Sequence, residues 1–244
     1  MDWYRFAEAY DIWFSWDPDA ERRFLLEASR NYGINQPRRL FEPMCGPGRL
    51  LRHMPGWAVG LDLEPAMTRV AARTNPVVRA DAAAPPFRSG AFDLAFNLID
   101  SFRHLPDEAS AARHLRGVAR TLRPGAVYVL GLEVNGHLAP DLRCDEWQGE
   151  QNGRHVRGSV EGVGDLDADA RTETMRIRFE VDGAAHEFFH VMRTYTPRQL
   201  EDLIDDESSF ELAAVFPGRY SLEDPIEISE LAGSALLVLR REPT

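Results

Sequence analysis

Three acids in the first third of this sequence each close or follow a short apolar run. Glu42 follows Leu40-Phe41, Asp62 follows Ala58-Val59-Gly60-Leu61, and Asp81 follows Val77-Val78. Between the first two lies Gly46-Pro47-Gly48. Such a turn brings bare backbone close to a ligand, and the helix start beyond it presents free N–H groups. In open parallel sheets, ligands gather at the carboxyl ends of strands. The step from Gly48 to Asp62 is near the spacing at which an acid accepts hydrogen bonds from ribose hydroxyls. A nucleoside is therefore the expected ligand. Its chemistry is narrowed by two features. The third glycine of a dinucleotide fingerprint is missing, because Arg49, Leu50 and Leu51 follow Gly48. Glu42 would sit poorly beside a pyrophosphate and well beside an ammonium or sulfonium group.

A second set of residues could act on a substrate. Asp100 and His104 lie in the stretch that follows Phe92–Asn97. Either could serve as a base for a protonated acceptor, and histidine has the suitable ordinary pKa of about 6.5. Tyr4, Tyr10, His190 and Tyr195 could line an acceptor pocket. Asp165-Leu-Asp-Ala-Asp169 has the look of a calcium loop, but alanine at its sixth place and Arg176 at its twelfth reject that reading.

The elements needed to position these groups can be read from periodicity. Apolar runs at 57–61, 77–80, 92–97 and 126–130 alternate with helical stretches. Pro65 opens one of these, and Asp107 caps another whose Ala112, Leu115, Val118 and Leu122 share a face. Repeated β-α units with continuous apolar strands predict a parallel sheet covered on both faces. The pattern changes near residue 144. Met175, Ile177, Phe179 and Val181 alternate with Thr174, Arg176, Arg178 and Glu180, and Asp182-Gly183 is a hairpin turn. Thr196-Pro-Arg-Gln199 reads as a capping box, and strands near 210–216 and 234–240 close the chain. Residues 2–16, dense in aromatics, predict an amphipathic helix packed on the body or folded over a ligand.

Composition bounds the function. The chain has 244 residues, 44% hydrophobic, with a net charge of −11. That field repels phosphate backbones, so nucleic acid is not an expected partner. All the positive charge is arginine, which excludes Schiff-base chemistry through a lysine. The two cysteines, Cys45 and Cys144, cannot form a zinc site alone, and no metal is expected. No apolar run approaches membrane-spanning length and the start of the chain lacks a signal pattern, so a cytoplasmic setting without membrane association is the expectation.

Glu42-Pro-Met-Cys-Gly-Pro-Gly-Arg49, Gly60-Leu-Asp-Leu-Glu-Pro-Ala-Met67, Ala80-Asp-Ala82, Phe92-Asp-Leu-Ala-Phe-Asn97 and Leu122-Arg-Pro-Gly125 occur in that order. In this order they resemble the successive motifs of class I S-adenosylmethionine-dependent methyltransferases, and the insert before the sixth strand resembles the lid of small-molecule N-methyltransferases. The resemblance implies an α/β, Rossmann-like, seven-stranded, mostly parallel sheet with an antiparallel β insert. It implies one methyltransferase domain over 1–244: a helical flap at 1–36, a cofactor-binding core at 38–143, a lid insert at 144–195, and closing helix and strands at 196–244. For S-adenosylmethionine it implies that Gly46 and Gly48 admit the methionine part, while Glu42 and the carbonyls near Cys45 face its amino group. Asp62 would hold the ribose, Leu63 and Met67 would flank adenine, and Asp81 with the Ala82 N–H would read its edge. Asn97 would stand where the methyl group emerges. Proline at 43 and 47 departs from the usual motif and stiffens the turn. The expected function is methyl transfer to a small molecule, more readily an amine than a hydroxyl, by a monomer or homodimer. The alternatives are a cofactor-binding relative without transferase activity that acts as partner or regulator, and a nicotinamide oxidoreductase, against which the missing glycine counts.

Overall fold

The computed structural model describes residues 3–134, 144–207 and 209–242. The 135–143 part of the expected core, the first two residues, and residues 208, 243 and 244 lie outside the described residues. The β-α alternation folds as its periodicity requires. Strands β1 (Arg39–Pro43), β2 (Trp57–Asp62), β3 (Val77–Arg79), β4 (Phe92–Asn97) and β5 (Leu122–Val134) run parallel. Strands β10 (Phe210–Pro217) and β11 (Gly233–Arg241) complete the sheet, each antiparallel to its neighbours. The order across the sheet is β10-β11-β5-β4-β1-β2-β3. The order reverses between β1 and β4, so the carboxyl ends of those two strands flank a crevice.

Both faces of this sheet are apolar and covered. Helices α4 (Glu108–Thr121) and α5 (Pro197–Glu207) pack on one side, burying Leu115, Val118, Leu200 and Leu203 with Phe41 and Tyr128. Helix α2 (Asp19–Tyr32) packs on the other, where Phe24, Leu25 and Ala28 meet Leu40, Leu94 and Val129. The capping chemistry matches the sequence. Asp107 accepts from the Ser110 N–H at 2.7 Å, and Thr196 and Gln199 exchange reciprocal bonds at 3.0 and 3.3 Å.

A second sheet, in the order β6-β7-β8-β9, is wholly antiparallel. Its strands are Cys144–Gln151, Arg154–Asp167, Thr172–Val181 and Ala184–Arg193. The alternating face of β8, with Ile177, Phe179 and Val181, packs on the N-terminal segment, a 3-10 turn at Trp3–Phe6 followed by helix α1 (Ala7–Trp13). Glycine makes this docking possible. A Cβ at Gly149 would lie 1.8 Å from the Ile12 carbonyl oxygen, and one at Gly158 would lie 2.8 Å from Trp13. The aromatic N-terminus is thus a wedge between the two sheets.

Helix α2 begins at Asp19, with Pro18 as cap residue and Asp17 Oδ1 accepting from the Asp19 N–H at 2.9 Å. Two local readings change. The helix expected after the Gly-rich turn is one 3-10 turn, Leu51–His53, because Pro55-Gly56 follows at once. Strand β5 starts at Leu122, with Pro124-Gly125 inside it. Cys144–Gln151 is a strand although its side chains do not alternate in polarity, since its pairing with β7 supplies the backbone partners. Among the described residues no helix is long and apolar enough to cross a membrane.

Candidate active site

The three acids stand together at the carboxyl edge of the parallel strands. Glu42 is within β1 rather than in the turn, opposite Gly60 of β2. Asp62 ends β2 and clamps the Gly-rich turn. Its Oδ2 accepts from the Gly46 N–H at 2.8 Å and its Oδ1 from the Glu64 N–H at 2.9 Å. The turn needs its glycines, since Gly46 and Gly48 have φ of +54° and +79°. Gly60 leaves room for it, because a Cβ there would lie 2.6 Å from Cys45 Sγ. Asp81 is exposed at the end of β3, and its Oδ1 accepts from the Ala83 N–H at 2.8 Å. Ala82 is buried beside it. Leu63 is 58% exposed, whereas Met67 is buried against Ala7 and Val70, next to Tyr4 and Tyr10.

A narrow crevice of about 50 Å³ runs along the turn, lined among others by Tyr10, Glu42, Cys45, Gly46 and Asn97. Asn97 Nδ2 donates to the Pro43 carbonyl at 2.8 Å, which leaves its Oδ1 aimed elsewhere. Asn97 Oδ1 and Glu42 Oε2 are both buried acceptors without a hydrogen-bond donor among the described residues. Two orphaned acceptors here match a ligand that brings an ammonium group, and so fit the amino-acid end of S-adenosylmethionine. Burial pushes the Glu42 carboxyl up to about 8, with Arg49 opposing. Arg49 is itself held by Glu21 at 2.8 and 2.5 Å and lies over the Trp16 ring. Burial also raises Asp62 above the usual carboxylate range, against the backbone N–H bonds that lower it.

A larger cavity of about 260 Å³ adjoins this crevice, between the N-terminal wedge, the residues after β4 and the second sheet. Trp3, Tyr4, Tyr10, Asp100, His104 and His190 line it. Tyr4 Oη lies 2.9 Å from His104 Nε2, and His104 Nδ1 lies 2.5 Å from His190 Nε2. Burial and the neighbouring His190 push His104 down to about 3, and burial pushes His190 down to about 4. Both imidazoles are neutral near pH 7.

The structure corrects three expectations about this cavity. His104 reaches it, but both ring nitrogens are engaged and its basicity is low, so it is a weak base in this arrangement. Asp100 reaches it, but one carboxylate oxygen accepts from the Glu133 N–H at 2.9 Å and the other pairs with Arg103 at 2.8 Å. Tyr195 does not reach it. That ring is buried in the main core beside Phe102, with its hydroxyl lacking a partner among the described residues. Two buried groups escaped the sequence reading. Arg103 joins Asp100 to Glu173 and the Arg193 carbonyl, tying the residues after β4 to the second sheet. His114, buried on α4, spans from the Ala82 carbonyl to the Tyr128 hydroxyl. Neither lies in a recognisable motif; for Arg103 the only signal is its place one residue before His104.

A larger concavity, about 880 Å³, lies elsewhere, on the second sheet. Four of its charges pair with one another, Arg157 with Glu180 at 2.7 Å and Arg178 with Glu187 at 2.5 Å. The unpartnered acceptors Glu42 Oε2 and Asn97 Oδ1 lie instead along the crevice above.

Residues 42–130 match the family model described as a methyltransferase domain. No curated protein matches the chain in sequence. Solved structures do match its fold. An S-adenosylmethionine-dependent methyltransferase from Clostridium acetobutylicum is similar with a TM-score of 0.74, 17% identity, and 99% of each chain covered. A sugar N-methyltransferase from Streptoalloteichus sp is similar at 0.69 and 21% identity, covering 93% of this chain and 89% of that one. An amino pentose methyltransferase from Micromonospora echinaspora, solved with S-adenosylmethionine bound, is similar at 0.63 and 20% identity, covering 97% and 91%. The matched segment holds Glu42, Asp62, Asp81 and Asn97, the residues that gather at the carboxyl edge of the sheet. Residues 42–130 thus match a methyltransferase domain, on a fold shared with solved S-adenosylmethionine-dependent methyltransferases.

Proposed function

We propose that the protein transfers the methyl group of S-adenosylmethionine to an amine on a small molecule. One observation carries the choice of amine. The cavity beside the cofactor crevice is walled by Trp3, Tyr4, Tyr10, Phe14, Trp16 and Trp147, its lining includes Asp100, Glu133 and Asp145, and no arginine lines it among the described residues. Its two histidines are neutral near pH 7. Aromatic faces and carboxylates together favour a ligand that carries or develops positive charge. An amine nitrogen becomes cationic as it is methylated, so this lining stabilises the transition state more than the ground state.

When bound, S-adenosylmethionine supplies an electrophilic methyl group on a cationic sulfur. The chain's residues bind and align. Glu42 and Asn97 accept hydrogen bonds from the amino group, Gly46 and Gly48 let the backbone approach the methionine part, and Asp62 accepts from the ribose hydroxyls. Asp81 and Ala82 read the adenine edge, with Met67 and Leu63 beside it. Tyr4 and Tyr10 shape the wall that separates crevice from cavity. Alignment of nitrogen, methyl and sulfur accounts for much of the acceleration. His104 and Asp100 act chiefly by orienting, His104 through Tyr4 and Asp100 through Arg103. The acceptor therefore has to enter as a free amine or lose its proton to water.

The test uses methyl-labelled S-adenosylmethionine and paired acceptors that differ only in amine or hydroxyl, beginning with amino sugars and their parent sugars. Label should appear on the amine of each accepted pair. Transfer to the hydroxyl partner but not to the amine would overturn the assignment.

A further inference from the structure

Helix α4 grips the segment after β3 at three heights. His114 Nδ1 is 2.9 Å from the Ala82 carbonyl oxygen. A Cβ at Gly117 would lie 2.6 Å from Pro85 Cδ, so helix and segment touch there. Arg120 donates to the Pro85 and Phe87 carbonyls at 2.6 and 2.5 Å. The first contact is nearest the site. It holds the carbonyl of the peptide group whose N–H, that of Ala83, donates to Asp81 Oδ1 at 2.8 Å. One peptide group is thus fixed at both ends, by His114 on one side and by the Asp81 carboxylate on the other.

The hydrogens along this line are set by chemistry. A carbonyl only accepts, so His114 Nδ1 carries the proton. In the neutral ring Nε2 is then an acceptor, and the Tyr128 hydroxyl, 3.0 Å away, donates to it. All three groups are buried, with His114 and Tyr128 fully so, and the Phe102 ring stands edge-on to the imidazole. Tyr128 belongs to β5 and pairs with Ala95 of β4. The line therefore runs from the centre of the sheet to the short turn that follows Asp81.

We propose that the Tyr128–His114–Ala82 line is a positioning device that sets adenine selectivity, by fixing which way the Asp81 carboxylate points. This rests on reading the crevice as the S-adenosylmethionine site. With Oδ1 committed to the Ala83 N–H, Oδ2 is turned to the exocyclic amine of adenine. Without His114 the peptide group can rotate, the carboxylate turns with it, and the amine loses its acceptor. His114 touches neither cofactor nor acceptor and acts through Asp81.

The experiment is calorimetry of the full chain with S-adenosylhomocysteine and with S-inosylhomocysteine, which has a carbonyl in place of the exocyclic amine. The unaltered chain should prefer the adenine form. His114→Leu should weaken the adenine form about tenfold, the scale of one hydrogen bond to a charged group, and change the inosine form by less than about twofold. His114→Asn, whose amide nitrogen can stand near the place of Nδ1, should restore most of the preference. Tyr128→Phe keeps the shape and should narrow the preference in the same direction, which covers a His114→Leu chain that fails to fold. Arg120→Gln, acting at the far end of the segment, should leave the ratio of the two affinities unchanged. Equal weakening of both nucleosides by His114→Leu and Tyr128→Phe, or no weakening, would overturn the inference and leave the cofactor reading intact. Failure of the unaltered chain to bind S-adenosylhomocysteine would overturn both.

Discussion

Asp62→Asn is the most searching single change, because it replaces one atom in a group with two fixed donors. Gly46 N–H points at one carboxylate oxygen from 2.8 Å and Glu64 N–H at the other from 2.9 Å. An amide has one oxygen, so in either orientation its NH₂ faces a backbone N–H. One bond to a charged acceptor is lost, which costs about 1.5–3 kcal/mol. A second effect opposes this: burial already raises Asp62 above its ordinary range, so a neutral side chain recovers part of the desolvation cost. The lower part of the range, about 1.5–2 kcal/mol, is therefore expected. For a domain of this size that lowers the melting temperature by about 3–8 °C. The assay is thermal unfolding by circular dichroism, paired with calorimetry against S-adenosylhomocysteine and its 2′,3′-dideoxy analogue. The variant should melt lower and lose affinity for the hydroxyl-bearing ligand more than for the dideoxy one. An unchanged melting temperature would refute the clamp. A lowered melting temperature with equal losses for the two ligands would refute the ribose assignment alone.

Other perturbations test the neighbouring groups. Glu42 is raised to about 8, so its contribution to stability is full below its ordinary pKa near 4.5 and is lost as pH rises towards 8. Glu42→Gln should flatten that slope by more than about 1 kcal/mol between pH 5 and 8 in urea titrations, while weakening cofactor binding. A slope as steep as the parent's would show that burial does not raise Glu42. His114 is depressed to about 4 and His104 to about 3, both below the ordinary 6.5. Their stabilising contribution is complete above pH 6.5 and drains as pH falls through 4; for His114 alone the loss at pH 5 is about 2 kcal/mol. Denaturation midpoints should fall from pH 7 to pH 5 and fall less in His114→Asn; identical pH dependence would exclude a buried neutral His114. Gly60→Ala should cost about 1–3 kcal/mol and weaken cofactor binding, since its methyl meets Cys45 Sγ and Leu51. Undiminished binding would show that the turn yields without consequence.

Much of the framework is local, and so was open to reading along the chain. Apolar runs such as Phe92–Asn97 become central parallel strands because both faces are covered, which is what a continuous apolar run requires. Asp107 and Thr196 cap the helices they precede, since a cap needs only its own next three residues. The cofactor edge was legible for a related reason. Glu42, Asp62 and Asp81 each owe their place to a strand end a residue or two away, and strand order then collects them. The less legible residues answer to distant partners. Tyr195 is a candidate for the pocket by residue type, yet Phe102 and the core take the ring. Cys144–Gln151 is a strand because β7 pairs with it, against its own polarity.

Protonation and availability belong wholly to the fold. His104 looks like a base by type and place, but Tyr4, a hundred positions away, and His190 occupy both nitrogens, and burial removes its basicity. His114 looks like one more polar residue on a helix, yet it connects β5 to the turn at Asp81. The sequence by itself carried the expectation of a nucleoside ligand, because the glycines and acids behind it are placed by short-range geometry. Only the tertiary structure decided which titratable groups are charged, engaged or buried, because desolvation and hydrogen bonding depend on what long-range folding packs against them.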